Sequence, residues 1–539
     1  MGLVTNLQFN KYPKIIYLAI LFFFSILFNQ YYGFKGVAPI DSFLIFNSGY
    51  DLSIGYLPFR DYWSVTGPLL DLIQAIYFKA FGISWFSYVL HASTFNLLIT
   101  LATFYTLEKF GLNLIYCFFY AICTATLAYP IIGTPFMDHH SAILSLIAIF
   151  IFIISLKTKS NFSWFFIPII LGLAFLSKQT PAAFMGIIIA FISTIYFVYN
   201  FDRQKILYFL AGSFAFLIFF IFLLFAYKIS IVSFLHQYIF FPSSVGNYRM
   251  YDFLFPLEFK RIFLRFKLIH FSQLILIIVL IRNIYQNFNY IKNNEFLILL
   301  TIILTSYAFI FQQLLTLNQK YVFFIIPFLL GFSQIYFEKH FINKKYTFLF
   351  FIIFGMISTL YYNYSYINNR KFLELSNVNF DKSINGKILD KKLKNLKWIT
   401  HLYPNEPKEE ILQLKKIINI LKNDNRIKMV VTDYQFISVI LSLYDYSPNK
   451  FWHVGVGYPP GKEAPKGTTY SGNKYFKNYK KFFIKKLKEG EIEVVYTIKP
   501  LFGDRDVLRE IISKNCYSRE IVTDIAYAET IIPCEDLNN

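Results

Sequence analysis

Between Ile15 and Tyr361 one long apolar run follows another with only short polar loops between them, and this repetition constrains the fold more than any motif does. A run of about 20 apolar residues suits one helical crossing of a bilayer. Inside lipid the backbone must satisfy its own hydrogen bonds, which leaves the α-helix as the workable form for an isolated run. Candidate spans lie near Ile15 to Phe28, Tyr88 to Leu107, Leu112 to Ala128, Ala142 to Leu156, Trp164 to Leu176, and Ala182 to Tyr199. Further spans lie near Ile206 to Ala226, Leu268 to Ile281, Phe296 to Phe311, Tyr321 to Phe337, and Tyr346 to Tyr361, giving about eleven.

Composition changes sharply after Tyr362. Only 16% of the whole chain is charged, against about 25% in an average soluble domain, yet from Asn363 onward Lys, Asp, Glu and Asn are abundant. The expectation is a mainly α membrane protein over residues 1–362, followed by a soluble α/β domain over residues 363–539. A net charge of +20 would point a soluble chain toward nucleic acid. Here much of the excess sits in short loops beside spans, and no nucleic-acid motif is present, so membrane lipid is the expected partner.

The first span follows Lys11 and Lys14 and ends in Asn29, Gln30, Tyr31 and Tyr32, without a small-residue cleavage signature, so it reads as an uncleaved anchor. A cytoplasmic N-terminus puts Lys157 and Lys159, Arg203 and Lys205, Arg282 and Lys292, and Lys339, Lys344 and Lys345 inside. That obeys the positive-inside rule and places the C-terminal domain outside. The basic loop from Lys228 to Lys267 is the exception. Gly67 to Gly82 is apolar but carries Asp71, Gln74 and Lys79, which suits an amphipathic helix on the outer surface.

In the soluble part, Ile427 to Thr432 and Ile492 to Ile498 read as buried strands, each after a Lys-rich amphipathic helix at Lys408 to Lys422 and Lys474 to Lys488. The run KNYKKFFIKKLK reads as a solvated helix face, with lipid headgroups as its alternative contact. The segment FWHVGVGYPPGKEAPKGTTYSG is a Gly/Pro-rich loop, not a phosphate loop. Cys516 and Cys534 suit a disulfide in an oxidising compartment, with two buried thiols as the alternative. Cys117 and Cys123, within a span, serve as small apolar residues.

Polar residues gather in the outer loops. APIDSFLIFNSGYDLSIGYLPFRDYWSVTGPLLDL carries Asp41, Asp51, Arg60, Asp61 and Asp71, and GTPFMDHHSA carries Asp138, His139 and His140. Four patterns recur in order: Asp41 soon after the first span, GYLPFRDYWSVTGP with Arg60, Asp61 and Pro68, LGLAFLSKQTPAAF with Lys178, and NQKYVFFIIPFL with Lys320 and Tyr321. In these the membrane region resembles the GT-C superfamily of membrane glycosyltransferases. The superfamily includes protein O-mannosyltransferases, the lipid A aminoarabinose transferase and oligosaccharyltransferase catalytic subunits. The chain departs from the bacterial pattern in having Asp41-Ser42 where Asp-Glu is frequent, and Lys320 where Arg is common.

That resemblance implies transfer of a sugar from a polyprenyl-phosphate donor to an acceptor hydroxyl outside the membrane, with inversion. It makes Asp41 the first candidate base, with Asp61 as the second. Arg60, Lys178, Arg249, Lys320 and Tyr321 become candidates for the donor and its departing phosphate. Each has a plainer alternative. Asp41 precedes SFLIF as a helix cap would, Asp61 has Arg60 to pair with, and Lys178 at a span end suits snorkelling. Asp138 with His139 or His140 offers ligands to a divalent cation, but three adjacent residues do not readily face one ion, which favours surface or substrate contacts. No cofactor is otherwise implied.

Abundant Lys, Asn, Ile and Phe suit an AT-rich bacterial genome, hence a bacterial inner membrane, undecaprenyl phosphate as carrier, and a lipid, envelope glycan or protein as acceptor. Readings from other classes are a polysaccharide polymerase or ligase, a non-catalytic binding or assembly protein, and a transporter. A transporter would carry more ionisable residues within its spans.

Overall fold

The computed structural model describes residues 14–158, 160–250, 258–316, 321–341, 347–443, 447–461, 472–501 and 506–538. Its first helices are α1 (Lys14–Gly33), α2 (Pro39–Ser42), α3 (Leu44–Ser53), α4 (Pro68–Phe81), α5 (Trp85–Lys109), α6 (Leu114–Leu127), α7 (Met137–Lys157) and α8 (Ser163–Ser177). Next come α9 (Gln179–Tyr199), α10 (Arg203–Ala226), α11 (Ile231–Phe234), α12 (Phe241–Arg249), α13 (Lys267–Gln286), α14 (Asn294–Leu315), α15 (Ile326–His340) and α16 (Thr347–Tyr362). The C-terminal part holds α17 (Pro407–Asn423), α18 (Phe436–Leu441), α19 (Phe476–Glu489), α20 (Val507–Ile511) and α21 (Glu535–Asn538). Its strands are β1 (Ile384–Asn385), β2 (Lys397–Trp398), β3 (Lys428–Thr432), β4 (Val494–Ile498), β5 (Tyr517–Thr523) and β6 (Ala526–Ile531).

Each expected span falls on a helix: α1, α5 to α10, and α13 to α16. Among the described residues, eight helical segments are long and apolar enough to cross a membrane, as befits a multi-pass membrane protein. The expected eleven exceed this for physical reasons. Helices α6 and α8 are apolar but have only 14 and 15 residues. Helix α5 has 25 residues, but His91, Ser93, Asn96, Thr100, Thr103 and Thr106 interrupt its apolar run, and all of them are buried.

The chain divides into two compact units: Met1–Gly33, Val89–Phe219 and Tyr251–Phe372 in the first, and Phe34–Tyr88, Phe220–Met250 and Leu373–Asn539 in the second. In the first unit α7 is central, with 83% of its apolar window buried. Buried hydroxyls bond back to their own helix, as Thr100 Oγ1 does to Asn96 O at 2.7 Å and Thr124 Oγ1 to Tyr120 O at 2.9 Å. Asn96 ties three segments, donating to Ser25 O at 3.0 Å and Ala125 O at 2.9 Å while accepting from Tyr129 N at 3.2 Å. The end of α1 meets the loop before α7 at two glycines: a Cβ on Gly133, whose φ is +78°, would lie 2.6 Å from Gly33 Cα. Side chains cannot fit there.

In the second unit the first loop builds its backbone into the C-terminal part. Gly36 N donates to Lys397 O at 3.0 Å, Val37 N to Ile399 O at 3.1 Å, and Trp63 N to Pro448 O at 2.7 Å. Phe43 packs on Trp398 and Phe436, with ring centroids at 5.7 and 4.8 Å. The expected amphipathic helix is α4, which buries Leu70, Asp71, Gln74, Ala75 and Phe78 at helical spacing.

A four-stranded sheet runs β3-β4-β6-β5, parallel between β3 and β4 and antiparallel elsewhere. Strands β3 and β4 match the two expected strands, and α17 and α19 match the two expected helices. Both helices bury one side: α17 buries Ile411, Leu414, Ile417, Ile418 and Leu421. The hairpin β5–β6 was not expected, since β5 is mostly solvent-facing and offers little apolar alternation. Cys516 and Cys534 are disulfide-bonded across it, Cα to Cα 5.2 Å. Of the Gly/Pro-rich loop, residues 462–471 lie outside the described residues.

Candidate functional site

In the first unit the polar side chains converge at the start of α7. The loop before it, residues 128–136, leaves carbonyls without helical partners, and buried Arg370 collects three of them. Its Nη1 donates to Pro130 O at 2.8 Å and Ile131 O at 3.2 Å, and its Nη2 to Ile132 O at 2.6 Å. Asp138 then stands in the first turn of α7, where a negative charge is favoured by the helix dipole.

The Asp138 carboxylate accepts from Lys178 Nζ through both oxygens, at 2.7 and 2.6 Å. The two side chains are only 2% and 17% exposed. Lys178 sits between α8 and α9 in extended backbone, φ −162° and ψ 144°, so its side chain leaves the line of both helices. A lysine that merely snorkelled would end in water. This one ends on a buried carboxylate.

Successive helical residues point about 100° apart, so the two neighbours of Asp138 go elsewhere. His140 Nδ1 bonds the Tyr129 hydroxyl and its Nε2 meets His91 Nε2 at 2.8 Å. His139 lies among the rings of Tyr129, Phe136, Tyr321 and Phe372, at centroid distances of 5.3, 5.9, 4.9 and 5.4 Å. Its two ring nitrogens have no hydrogen-bond partner among the described residues. No three His, Cys, Asp or Glu side chains among those residues are grouped to hold a metal ion.

The second unit has its own buried charges. Lys450 Nζ lies 2.5 Å from Asp51 Oδ2, with side chains 4% and 0% exposed, and stands 5.3 Å from the Tyr62 ring centroid. Tyr62 donates its hydroxyl to Asp71 Oδ2 at 2.7 Å, and Ser48 Oγ donates to Asp71 Oδ1 at 2.5 Å. Burial lifts the Asp71 carboxyl to about 7, opposed by the two hydroxyls and by the charge of Lys450. Ser48, Tyr62, Ser64, Asp71, Asn449 and Lys450 line a cavity of about 20 Å³. That has room for a water molecule and not for a sugar.

The remaining predicted residues are spread over both units. Asp41 is half-buried in the first turn of α2, whose N-cap position is Ala38; the N-cap position of α3 is Phe43, without a side-chain cap bond. Asp61 Oδ2 accepts from Arg60 Nη2 at 2.6 Å, Arg60 Nε at 2.9 Å and Leu57 N at 2.8 Å. Its other oxygen lies 3.8 Å from Lys486 Nζ. Arg60 also donates to Tyr227 O at 3.1 Å. Arg249 ends α12, near enough to His453 to disfavour its protonated form, although burial is the larger reason that this imidazole falls to about 4. Tyr321 lies over His139, and its backbone N donates to Gln313 Oε1 at 3.1 Å. Lys320 lies outside the described residues.

Sequence reasoning gave no role to Lys450, His91 or Arg370. Lys450 is one lysine among many in a Lys-rich half, and Arg370 looks like any basic residue after a span. His91 carried the only local signal, an imidazole inside an apolar run.

No family model matches the chain, and no curated protein matches it. Among solved structures it is similar to the archaeal oligosaccharyltransferase AglB from Archaeoglobus fulgidus, solved with an inhibitory peptide and a dolichol-phosphate. The identity is 11%, the alignment covers 91% of this chain and 70% of that chain, and the TM-score is 0.42.

Proposed function

We propose that the protein is a glycosyltransferase of the bacterial inner membrane that moves a sugar from a polyprenyl-phosphate donor to an acceptor hydroxyl on the outer side. The observation that carries this reading is the ammonium of Lys178, held on buried Asp138 in a break between two apolar helices. A cation placed there suits the phosphate of a lipid whose tail stays in the membrane. The same lysine belongs to the ordered motifs that resemble GT-C enzymes.

In the proposed reaction an acceptor oxygen attacks the anomeric carbon as the bond from that carbon to the phosphate oxygen breaks. The bonding electrons leave with the polyprenyl phosphate, and the acceptor proton passes to the Asp41 carboxylate. Lys178 offsets the charge that grows on the departing phosphate. Asp138 orients Lys178 and tempers its charge until a phosphate competes for it. Asp61 is held by Arg60 and the Leu57 amide, an arrangement that suits ordering of the first loop better than proton transfer. Asp41 is preferred as the base for its place soon after the first span, in the ordered motifs that resemble GT-C enzymes.

Purified protein in lipid nanodiscs, given radiolabelled polyprenyl-phosphate sugars and envelope extract as acceptor, is expected to produce labelled glycoconjugate. Lys178→Ala should lower turnover at least tenfold. No transfer from any donor of the panel, together with no binding of polyprenyl phosphate, would overturn the assignment. For sidedness, alkaline phosphatase fused after Asn539 should be active and fused after Lys159 inactive.

A further inference from the structure

Helix α19 presents two chemically different faces. Tyr479, Phe483, Lys486 and Leu487 are buried, whereas Lys477, Lys481, Lys485 and Lys488 are exposed. Positions four, four and three apart form one stripe along a helix. Among the described residues, the acid paired with the stripe is Glu489, which lies 3.4 Å from Lys485 and, at 3.0 Å, also meets buried Lys486 at the C-terminal end.

Within the second unit this helix and the residues just before it are fastened to the segment Phe220–Met250, which begins with the last residues of α10. Asn478 Nδ2 meets His236 Nδ1 at 3.1 Å, and Asn473 Nδ2 donates to Ser244 Oγ at 3.1 Å. Between the end of α10 and these contacts, Tyr227, Ile231, Val232 and Phe240 are all more than 40% exposed. Exposed aromatic and aliphatic side chains just past a span suit the interfacial layer of a bilayer. The fastening therefore holds the lysine stripe in the same compact unit as exposed apolar residues that suit headgroup depth.

From this juxtaposition we propose that α19 is a membrane-surface helix whose four exposed lysines contact the phosphates of anionic phospholipid headgroups. The inference is independent of the glycosyltransferase reading. Each lysine near such a surface contributes a factor of about five to association, so the stripe would hold its face on an anionic leaflet and release it at high salt.

The test uses the full chain in nanodiscs of phosphatidylglycerol or of phosphatidylcholine, with lysine acetylation rates read by mass spectrometry. Lys477, Lys481, Lys485 and Lys488 should react about fivefold more slowly in the anionic discs, and the protection should vanish in about 0.5 M salt. Lys415, Lys416 and Lys422, exposed on α17, serve as internal controls that should not change. In a Lys477→Glu/Lys481→Glu variant, protection of Lys485 and Lys488 should be lost. Equal rates in both kinds of disc, or equal slowing of the α17 lysines, would overturn the proposal. So would protection by added polyphosphate in phosphatidylcholine discs without protection in anionic discs, which would make the stripe a site for a soluble polyanion.

Discussion

The two units bury polar groups in opposite ways. In the first, most buried hydroxyls hand their hydrogen bonds back to the same helix, and its charged pair, Asp138 with Lys178, keeps one partner 17% exposed. In the second, buried acids are shared among distant segments. Glu410 accepts from Trp398, Thr400 and Tyr434, Glu529 from Arg519 and Thr497, and Asp51 faces Lys450 from 399 residues away along the chain. A helix in lipid has little choice but internal satisfaction. A loop built into a unit of mixed helices and sheet can recruit any partner the fold brings near. Changes to charge in the first unit should therefore act mainly on function, and changes in the second mainly on stability.

The largest expected effect is the sharpest exception to that division. Asp41 belongs to the second unit, yet Asp41→Asn should lower sugar transfer by about 10² to 10⁴-fold, with the melting temperature in detergent nearly unchanged. Near-normal turnover in this variant, with Asp61→Asn inactive, moves the base to Asp61. If both variants stay active, the first-loop chemistry is wrong.

Lys450→Met should follow, costing about 3 to 5 kcal/mol because it leaves the Asp51 carboxylate buried without its ammonium. The double variant Asp51→Asn/Lys450→Met should recover part of the loss. Lys178→Met should cost clearly less stability, since water reaches that pair. Thermal melts followed by limited proteolysis read all three, and equal losses for Lys178→Met and Lys450→Met would break the comparison.

Asp71 supplies a pH test of the second unit. Burial raises its carboxyl from 3.8 to about 7, against the Ser48 and Tyr62 hydrogen bonds and Lys450. Its folded value lies above its unfolded one, so its contribution to stability is full below about pH 4 and lost as the pH rises through about 7. The shift corresponds to at most about 4 kcal/mol. Asp71→Asn should flatten that part of the stability curve, and an unaltered slope between pH 4 and 7 would remove Asp71 from the account.

The smallest effect is reduction of the bond between Cys516 and Cys534. Its sequence separation is 18, and closing a loop of that length contributes about 3 kcal/mol. Reductant should lower the melting of the C-terminal sheet, read by protease sensitivity of the β5–β6 hairpin, while helices of the first unit keep their protection. Free thiols at both positions in protein taken from an oxidising compartment would count against the bond.

Local pattern in the amino-acid sequence was enough to place the apolar helices, strands β3 and β4, and helices α4, α17 and α19, because length, periodicity and flanking residues are properties of neighbouring positions. It also marked Asp41, Asp138 and Lys178 as residues worth a chemical role. It could not join Asp138 to Lys178, Asp51 to Lys450, or Arg370 to the carbonyls before α7, nor attach the first loop to residues 373–539. Those pairings depend on which distant group lies closest once the chain is packed. Coulomb energy and hydrogen bonding fall off within a few ångströms, and distance along the chain carries no information about distance in space.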